Sequence, residues 1–262
     1  MSEVARNWVL VLVKARQLAK TRLAGVLSLE ERMALQEAML ADVLATLAEV
    51  RGLAGIAICS PDPTHHELAR RHGATFIAEP PSVTGLNGAA RHGADSLARN
   101  LVPGGADFIG LIPGDLPLLK ASDVEDAFDT AMALRQAVVI PDQHGRGTNG
   151  LFFAADKPPV FSFGPGSFHR HLSGEETPAR GVPMLADSFA CDIDTPADLA
   201  ALAASATPGG ANTRALIAGL LAVRPQHAEP CEERRRPALR PPLPTNNQLD
   251  PFAFSVKAEV IS

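Results

Sequence analysis

The stretch FIGLIPGDLPLL, residues 108–119, places an acid directly behind an apolar run. The segment ADFIGLI (106–112) predicts a β-strand that is covered on both faces, as strands of parallel sheets are. Asp115 follows after Pro113 and Gly114, and ligands in open α/β sheets bind beside the carboxyl ends of the strands. Asp115 is therefore either a ligand-binding carboxylate at the edge of the sheet or a turn aspartate, and this stretch alone favours neither.

Strand-like and helix-like segments alternate on both sides of this stretch. The other predicted strands are 8–13, 55–60, 74–79, 137–140, 150–154 and 188–194, and the predicted helices are 28–50, 63–73, 87–98 and 122–134. This alternation over short loops predicts a three-layer, doubly wound α/β fold with a mostly parallel sheet. The strands at 137–140 and 150–154 are too close in sequence for a parallel crossover, so we expect one of them to be antiparallel.

The bulk composition excludes several classes of protein. The chain has 262 residues, of which 46% are hydrophobic, and its formal net charge is −5. That charge disfavours non-specific binding to nucleic acid or to an anionic membrane. The apolar run WVLVLV (8–13) is too short for a membrane span or a secretory signal, and three scattered cysteines form no metal or disulfide pattern. We expect a soluble, cytoplasmic protein, and the sequence leaves open whether it forms a homodimer.

A second acidic motif, CDIDTPADL (191–199), carries Asp192 and Asp194 at alternate positions of a predicted strand. Alternate strand residues face the same side, and two carboxylates aimed the same way repel unless a cation lies between them. Thr195 and Asp198 have a structural explanation instead, because they fit the N-cap and the third position of a helix that begins at Pro196. Asp115, Asp192 and Asp194 together suit Mg²⁺, a hard cation that takes oxygen ligands.

Two loops rich in small residues are candidate phosphate sites, because backbone N–H groups in such loops bind anions. They are DQHGRGTNG (142–150), with Thr148, and FGPGSF (163–168), with Gly164 and Ser167. Simple turns explain glycine-rich loops equally well. The segment VKARQLAKTRLAG (13–25) adds cations behind the first strand, at Lys14, Arg16, Lys20 and Arg22.

Several well-known catalytic motifs are missing from the sequence. It contains no dinucleotide-binding G-x-G-x-x-G behind the first strand, no P-loop and no G-x-S-x-G nucleophile elbow. His169 and His171 lack partners at metal-ligand spacing, so we expect them to contact substrate or to lie on the surface.

Seven motifs in order resemble the guanylyltransferases of coenzyme F-420 biosynthesis over residues 8–203. They are VKARQLAKTRLAG, LSLEERMAL, EPPSVTGLNGA, PGDLPLL, PD…GTN, FGPGSFHRH and CDIDTPADL. These enzymes use 2-phospho-L-lactate, phosphoenolpyruvate or 3-phospho-D-glycerate as the acceptor. The resemblance implies a Rossmann-like fold of the GT-A nucleotidyltransferase type, with GTP as donor and Mg²⁺ as metal.

The resemblance also implies roles for individual residues. Asp115, Asp192 and Asp194 match the family's metal-binding acids. Thr148, Gly164 and Ser167 match positions around the acceptor's phosphate, and Lys14 matches a lysine beside it. Asn87 matches a position near the nucleotide.

Two other functions stay open at this point. One is a nucleotidyltransferase of the same fold that uses a sugar-phosphate or molybdopterin acceptor. The other is a non-catalytic nucleotide-binding regulator, which the presence of all three acids disfavours.

The composition changes after Val223, where prolines and mixed charges replace core-forming residues. We therefore predict a nucleotidyltransferase domain over residues 1–223 and a disordered or loosely attached tail over 224–262. Truncation after residue 223 should leave folding and activity nearly unchanged. Thermal melting of the full and truncated chains tests this, and a loss of tens of degrees on truncation would show that the tail stabilises the fold.

Overall fold

The computed structural model describes residues 6–99, 104–173 and 181–223. In these residues seven strands form one sheet in the order β3-β2-β1-β4-β6-β5-β7. The strands are β1 (Asn7–Leu12), β2 (Leu53–Ser60), β3 (Thr75–Ala78), β4 (Phe108–Pro113), β5 (Val138–Pro141), β6 (Thr148–Ala154) and β7 (Val182–Pro183). The helices are α1 (Leu29–Ala48), α2 (His65–Arg71), α3 (Gly85–Arg99), α4 (Ala121–Leu134), α5 (Ser167–Ser173), α6 (Pro196–Ala204) and α7 (Ala211–Val223).

The sheet is mostly parallel, as the alternating pattern predicts. Strands β3, β2, β1 and β4 run parallel to one another, whereas β6 is antiparallel to both β4 and β5. The expectation that one strand of the 137–154 pair reverses direction is therefore confirmed. No helix in the described part of the chain is long and apolar enough to cross a membrane.

The two faces of the central strands bury different side chains, which gives the fold its three layers. In β1, Val9 and Val11 face a core with α1, α2 and α4, and Leu10 and Leu12 face a second core with α3. This alternation follows from the two-residue period of a strand. All four side chains are at most 6% exposed, as expected for a continuous apolar run in a parallel sheet.

The strand register brings the end of β4 beside the end of β1. Leu12 of β1 pairs with Pro113 of β4, so the segments that follow both strands leave the same edge of the sheet. Gly114 allows the close approach there, because a Cβ on it would lie 3.1 Å from Val13 and 3.2 Å from Leu40. The antiparallel β6 begins at this edge with Thr148, since its later residue Leu151 pairs with Leu111.

The predicted strand at 188–194 is wrong. The chain forms a 3₁₀ turn at Asp187–Phe189 and then runs irregularly to the start of α6. The segment packs on a face of the sheet instead of pairing at an edge. Phe189 is fully buried against Phe152 of β6, and its carbonyl accepts from Nδ2 of Asn149 at 2.8 Å.

Helix α7 was not predicted, because its start is capped by a residue distant in sequence. Asp42 of α1 accepts hydrogen bonds from the backbone N–H and Nδ2 of Asn212, each 2.9 Å long, and from the N–H and Oγ1 of Thr213, 2.9 and 2.6 Å long. Asp42 is only 5% exposed. The predicted tail, 224–262, lies outside the described residues.

We expect Asp42→Ala to lower the free energy of unfolding by about 2–3 kcal/mol, because buried donors of α7 lose their acceptor. Urea denaturation measures the change. Glu37→Ala is the matched control, since Glu37 lies on the same helix in an exposed ion pair with Arg71 that contributes about 0–1 kcal/mol. Equal losses in the two variants would show that Asp42 does not hold α7.

Candidate functional site

The candidate site is a cleft with two lobes at the carboxyl edge of the sheet. The first lobe, a cavity of about 450 Å³, is lined by the segment after β1 and by Asp115 behind β4. The second, of about 530 Å³, is lined by the loop 142–147 and the loop 163–167. Thr148, Asp192 and Asp194 line both lobes. The cleft therefore has room for two ligands that meet at these residues.

The ammonium group of Lys20 joins two of the predicted acids. Its Nζ lies 2.6 Å from Oδ2 of Asp115 and 2.8 Å from Oδ1 of Asp194, and the lysine side chain is only 6% exposed. Burial alone would lower the pKa of Lys20, but the two carboxylates outweigh burial and raise it. Lys20 therefore stays charged and links the segment after β1 to the two acids through ion pairs.

Asp192 is the acid of the three without such a partner. Burial, followed by the charges of Asp115 and Asp194, raises the pKa of Asp192 to about 6. Its Oδ1 is buried and has no hydrogen-bond partner among the described residues. A buried carboxylate oxygen that faces two other carboxylates is where a cation would be stabilised most.

The start of α6 fixes the positions of these acids. Thr195 and Asp198 form the capping box: Thr195 Oγ1 accepts from the N–H of Asp198, and Oδ2 of Asp198 accepts from the N–H of Thr195 at 2.7 Å. The same Oδ2 accepts from the N–H of Asp194 at 3.0 Å. Asp198 thus holds the backbone, as predicted for these two residues, while the carboxylate of Asp194 turns to Lys20. For Asp194 burial acts to raise the pKa, but Lys20 lowers it overall.

The chemistry of the donor set fits a hard divalent cation, although no preformed metal cage is present. Within residues 6–99, 104–173 and 181–223, no group of three His, Cys, Asp or Glu side chains has the geometry of a metal site. The carboxylates of Asp115 and Asp194 are directed at Lys20, and Asp192 keeps an unpaired oxygen. Asp115, Asp192 and Asp194 as metal ligands stay a prediction.

The second lobe contains a buried chain of hydroxyl and imidazole groups. Oγ of Ser167 lies 3.1 Å from Oγ1 of Thr148, which lies 3.0 Å from Nδ1 of His171. Thr148 and Ser167, predicted from separate loops, thus meet in space. His171 is 5% exposed, so the expected surface position is wrong for this residue, and the alternative of a substrate contact stays a prediction.

Glycines shape the loop that ends at Ser167. Gly164 and Gly166 have φ of 117° and 77°, a region that favours glycine. The guanidinium of Arg170 holds this loop by donating to the carbonyls of Ser162 and Pro165, each at 2.6 Å. The N–H of Ser167 donates to the carbonyl of Gly164 at 3.0 Å, and both residues line the second lobe.

The other two predicted site residues are Asn87 and Lys14. The side-chain amide of Asn87 makes two hydrogen bonds to the backbone of Phe163. Its oxygen accepts from the N–H at 2.6 Å, and its nitrogen donates to the carbonyl at 3.4 Å. This contact stabilises the glycine loop, and a role near the nucleotide stays a prediction. Lys14 is exposed and lines the first lobe.

Sequence reasoning missed the central position of Lys20 and the burial of His171. Lys20 was one of four cations in a segment of two 3₁₀ turns, where no periodicity distinguishes one lysine from the next. For His171 a signal existed. It lies four residues after Ser167, so both share one face of α5.

The sequence of the chain is similar to those of known guanylyltransferases. A family model described as "Guanylyl transferase CofC like" matches residues 7–229. The chain is 36% identical over 239 residues to the phosphoenolpyruvate guanylyltransferase of Rhodococcus opacus (strain B4), covering 86% of this chain and 96% of that protein. It is 38% identical over 200 residues to the phosphoenolpyruvate guanylyltransferase of Sphaerobacter thermophilus, covering 74% and 91%.

A solved structure supports the fold assignment. The putative nucleotide-diphospho-sugar transferase from Desulfovibrio desulfuricans G20 aligns with a TM-score of 0.62 at 20% identity, over 83% of this chain and 96% of that chain. The predicted Rossmann-like fold of the GT-A nucleotidyltransferase type is confirmed.

We expect Asp192→Asn to stabilise the protein in buffer with EDTA at pH 7.5. Because the pKa of Asp192 is raised from 3.8 to about 6 in the folded state, the folded protein binds more protons than the unfolded chain between these values. The cost of ionising Asp192 is therefore complete above pH 6 and disappears as the pH falls towards 3.8. The side chain is partly exposed, so the gain should be on the order of 1 kcal/mol.

Urea denaturation at pH 7.5 and 4.5 measures this gain, which should fall by more than half at the lower pH. Asp187→Asn is the control, because Asp187 is an exposed acid in the same segment. A gain in the control, or a gain in Asp192→Asn that does not depend on pH, would contradict the prediction.

Proposed function

The chain belongs to the CofC-like guanylyltransferase family, and from this premise we propose that it transfers GMP from GTP to the phosphate of a small phosphorylated carboxylic acid. Pyrophosphate is the second product, and the transfer is a step of coenzyme F-420 biosynthesis. Phosphoenolpyruvate is the first acceptor to test, because it is named for the relatives from Rhodococcus and Sphaerobacter. We also propose that the protein acts in the cytoplasm.

One observation carries the proposal: two lobes of one cleft meet at Asp192, Asp194 and Thr148. A group transfer between two substrates needs both reacting phosphates held side by side. The first lobe offers Lys14 and Arg22 to a triphosphate. The second offers Thr148, Gly164 and Ser167 to the acceptor's phosphate.

The reaction needs no protein base. An oxygen of the acceptor's phosphate forms a bond to the α-phosphorus of GTP, and the bond from that phosphorus to the bridging oxygen of pyrophosphate breaks. The second pKa of a phosphate monoester is about 6, so the nucleophile is already ionised at neutral pH. The neutral, fully engaged imidazole of His171 is consistent with this, because nothing requires it to take up a proton.

The protein's contribution is therefore alignment and charge neutralisation. Lys14 and Arg22 would attract the phosphates of GTP, and Lys20 holds Asp115 and Asp194 at the junction of the lobes. We propose that Asp115, Asp192 and Asp194 hold Mg²⁺, whose chemistry is to neutralise charge on the phosphates. The unpaired Oδ1 of Asp192 supports this assignment.

The activity is tested by incubating the purified full chain with GTP, Mg²⁺ and one acceptor at a time, and measuring pyrophosphate. The acceptors are phosphoenolpyruvate, 2-phospho-L-lactate, 3-phospho-D-glycerate and glucose 1-phosphate, with ATP and CTP replacing GTP in parallel. We expect release with GTP and a phosphorylated acid. Release only with the sugar phosphate, or only with CTP, would overturn the proposed acceptor or donor.

We expect Asp115→Asn to lower turnover about 100-fold or more at saturating Mg²⁺, because the variant removes a negative charge from the cation site. If Asp115 served only as a turn residue, asparagine would replace it with little effect. Turnover is measured against Mg²⁺ concentration, with Asp187→Asn as the control. Near-normal turnover in Asp115→Asn would exclude Asp115 as a metal ligand.

A further inference from the structure

The hydrogen bonds around His171 determine which of its nitrogens carries a proton. The backbone N–H of Ser162 donates to Nε2 of His171 at 3.0 Å. A backbone N–H can only donate, so Nε2 is an acceptor and the proton of the neutral ring is on Nδ1. Nδ1–H therefore donates to Oγ1 of Thr148, 3.0 Å away.

The surroundings of the imidazole keep it in this form. Burial, with a smaller contribution from Arg170 of the same helix, lowers the pKa of His171 to about 4. Phe163 packs against the ring edge-to-face at a centroid distance of 4.9 Å. The facing groups on β6 and on the loop before α5 are the neutral Thr148, Ser162 and Phe163. The ring is thus neutral and held from both sides at physiological pH.

The fixed donor on His171 determines what the hydroxyl pair can offer a ligand. Oγ1 of Thr148 accepts from His171 and from the hydroxyl of Ser167, 3.1 Å away. With both lone pairs occupied, the hydroxyl of Thr148 can act only as a donor. Thr148 lines both lobes of the cleft, so this donor is available to a ligand that binds there.

We propose that His171 is a positioning residue that makes Thr148 a donor-only group and thereby selects a doubly ionised phosphate on the acceptor. This inference rests on the proposed function for the identity of the ligand. A dianionic phosphate only accepts hydrogen bonds and suits the oriented hydroxyl, whereas a protonated P–O–H group would need an acceptor that Thr148 does not have.

The tautomer is tested first, because that measurement does not depend on any activity. Long-range ¹H–¹⁵N NMR of the full chain with labelled histidine should show a protonated Nδ1 and an unprotonated Nε2 for His171, identified by the loss of its signals in His171→Asn. The opposite tautomer, or a ring that exchanges between both, would overturn the proposal whether or not the chain is a guanylyltransferase.

The second test is kinetic and uses the acid selected by the pyrophosphate assay. His171→Phe keeps the ring volume but removes the donor, and should raise the KM for that acid by about three- to tenfold, as expected for the loss of a hydrogen bond between neutral groups. The KM for GTP should change less than about twofold. His171→Asn, whose amide can donate near the position of Nδ1, should recover most of the loss. His169→Ala is the control, since His169 is exposed on the same helix.

Two readouts separate positioning from a structural role. In Thr148→Val, the further change His171→Phe should have little additional effect on the KM, because His171 acts through the hydroxyl that is already missing. In the wild-type chain the KM for the acid should rise as the pH falls through about 6, where the phosphate gains a proton. In His171→Phe this rise should be smaller, because the hydroxyl of Thr148 is free to accept. Additive losses, or an unchanged pH profile, would overturn the proposal.

Discussion

The buried ammonium of Lys20 is the interaction on which the geometry of the cleft depends. A charged group in the interior must be paired, because its desolvation costs several kcal/mol. Lys20 meets this requirement with Asp115 and Asp194 at 2.6 and 2.8 Å. One lysine therefore joins three separate pieces of chain: the segment after β1, the turn after β4 and the approach to α6.

The parallel register of β1 and β4 makes this pairing geometrically accessible. Because Leu12 and Pro113 are register partners, the segments behind both strands start from the same edge of the sheet. The approach to α6 is held by an apolar cluster with α1, α6 and α7. Ile193, which stands between Asp192 and Asp194 in the sequence, is buried in this cluster. The apolar core thus sets the distances at which the charged groups meet.

The two lobes of the cleft differ in how they meet negative charge. In the first lobe the positive charges come from lysines and an arginine. Among the described residues, Oδ1 of Asp192 has no hydrogen-bond partner there. The second is lined by Arg22 and Arg146 and adds neutral groups of fixed orientation. Among these, Ser162, His171, Thr148 and Ser167 form one chain of hydrogen bonds. Charged groups attract any anion, whereas oriented neutral donors distinguish anions by their protonation and shape. Such a division suits a cleft that has to hold two phosphorylated ligands in a defined order.

Local patterns in the sequence were sufficient for the layers of the fold and for most of the candidate site. The apolar runs of β1 and β4 predicted a parallel sheet, and the N-cap predicted at Thr195 is present. Asp115 could be singled out because an acid behind a buried strand lies at the binding edge of such a sheet. These features depend on hydrogen bonds and periodicities within a few residues, which a sequence displays directly.

Other features were decided only by the tertiary structure. The sequence favoured Lys14 as the site lysine, but the buried lysine that links the acids is Lys20, because burial of its charge depends on acids 95 and 174 residues away along the chain. The segment 188–194 has the composition of a strand, but contacts of Phe189 with Phe152 and Asn149 hold it on a face of the sheet. Helix α7 begins where Asp42 of α1 caps it. In each case the deciding partner is distant in sequence, so the energy of the contact exists only once the chain has folded.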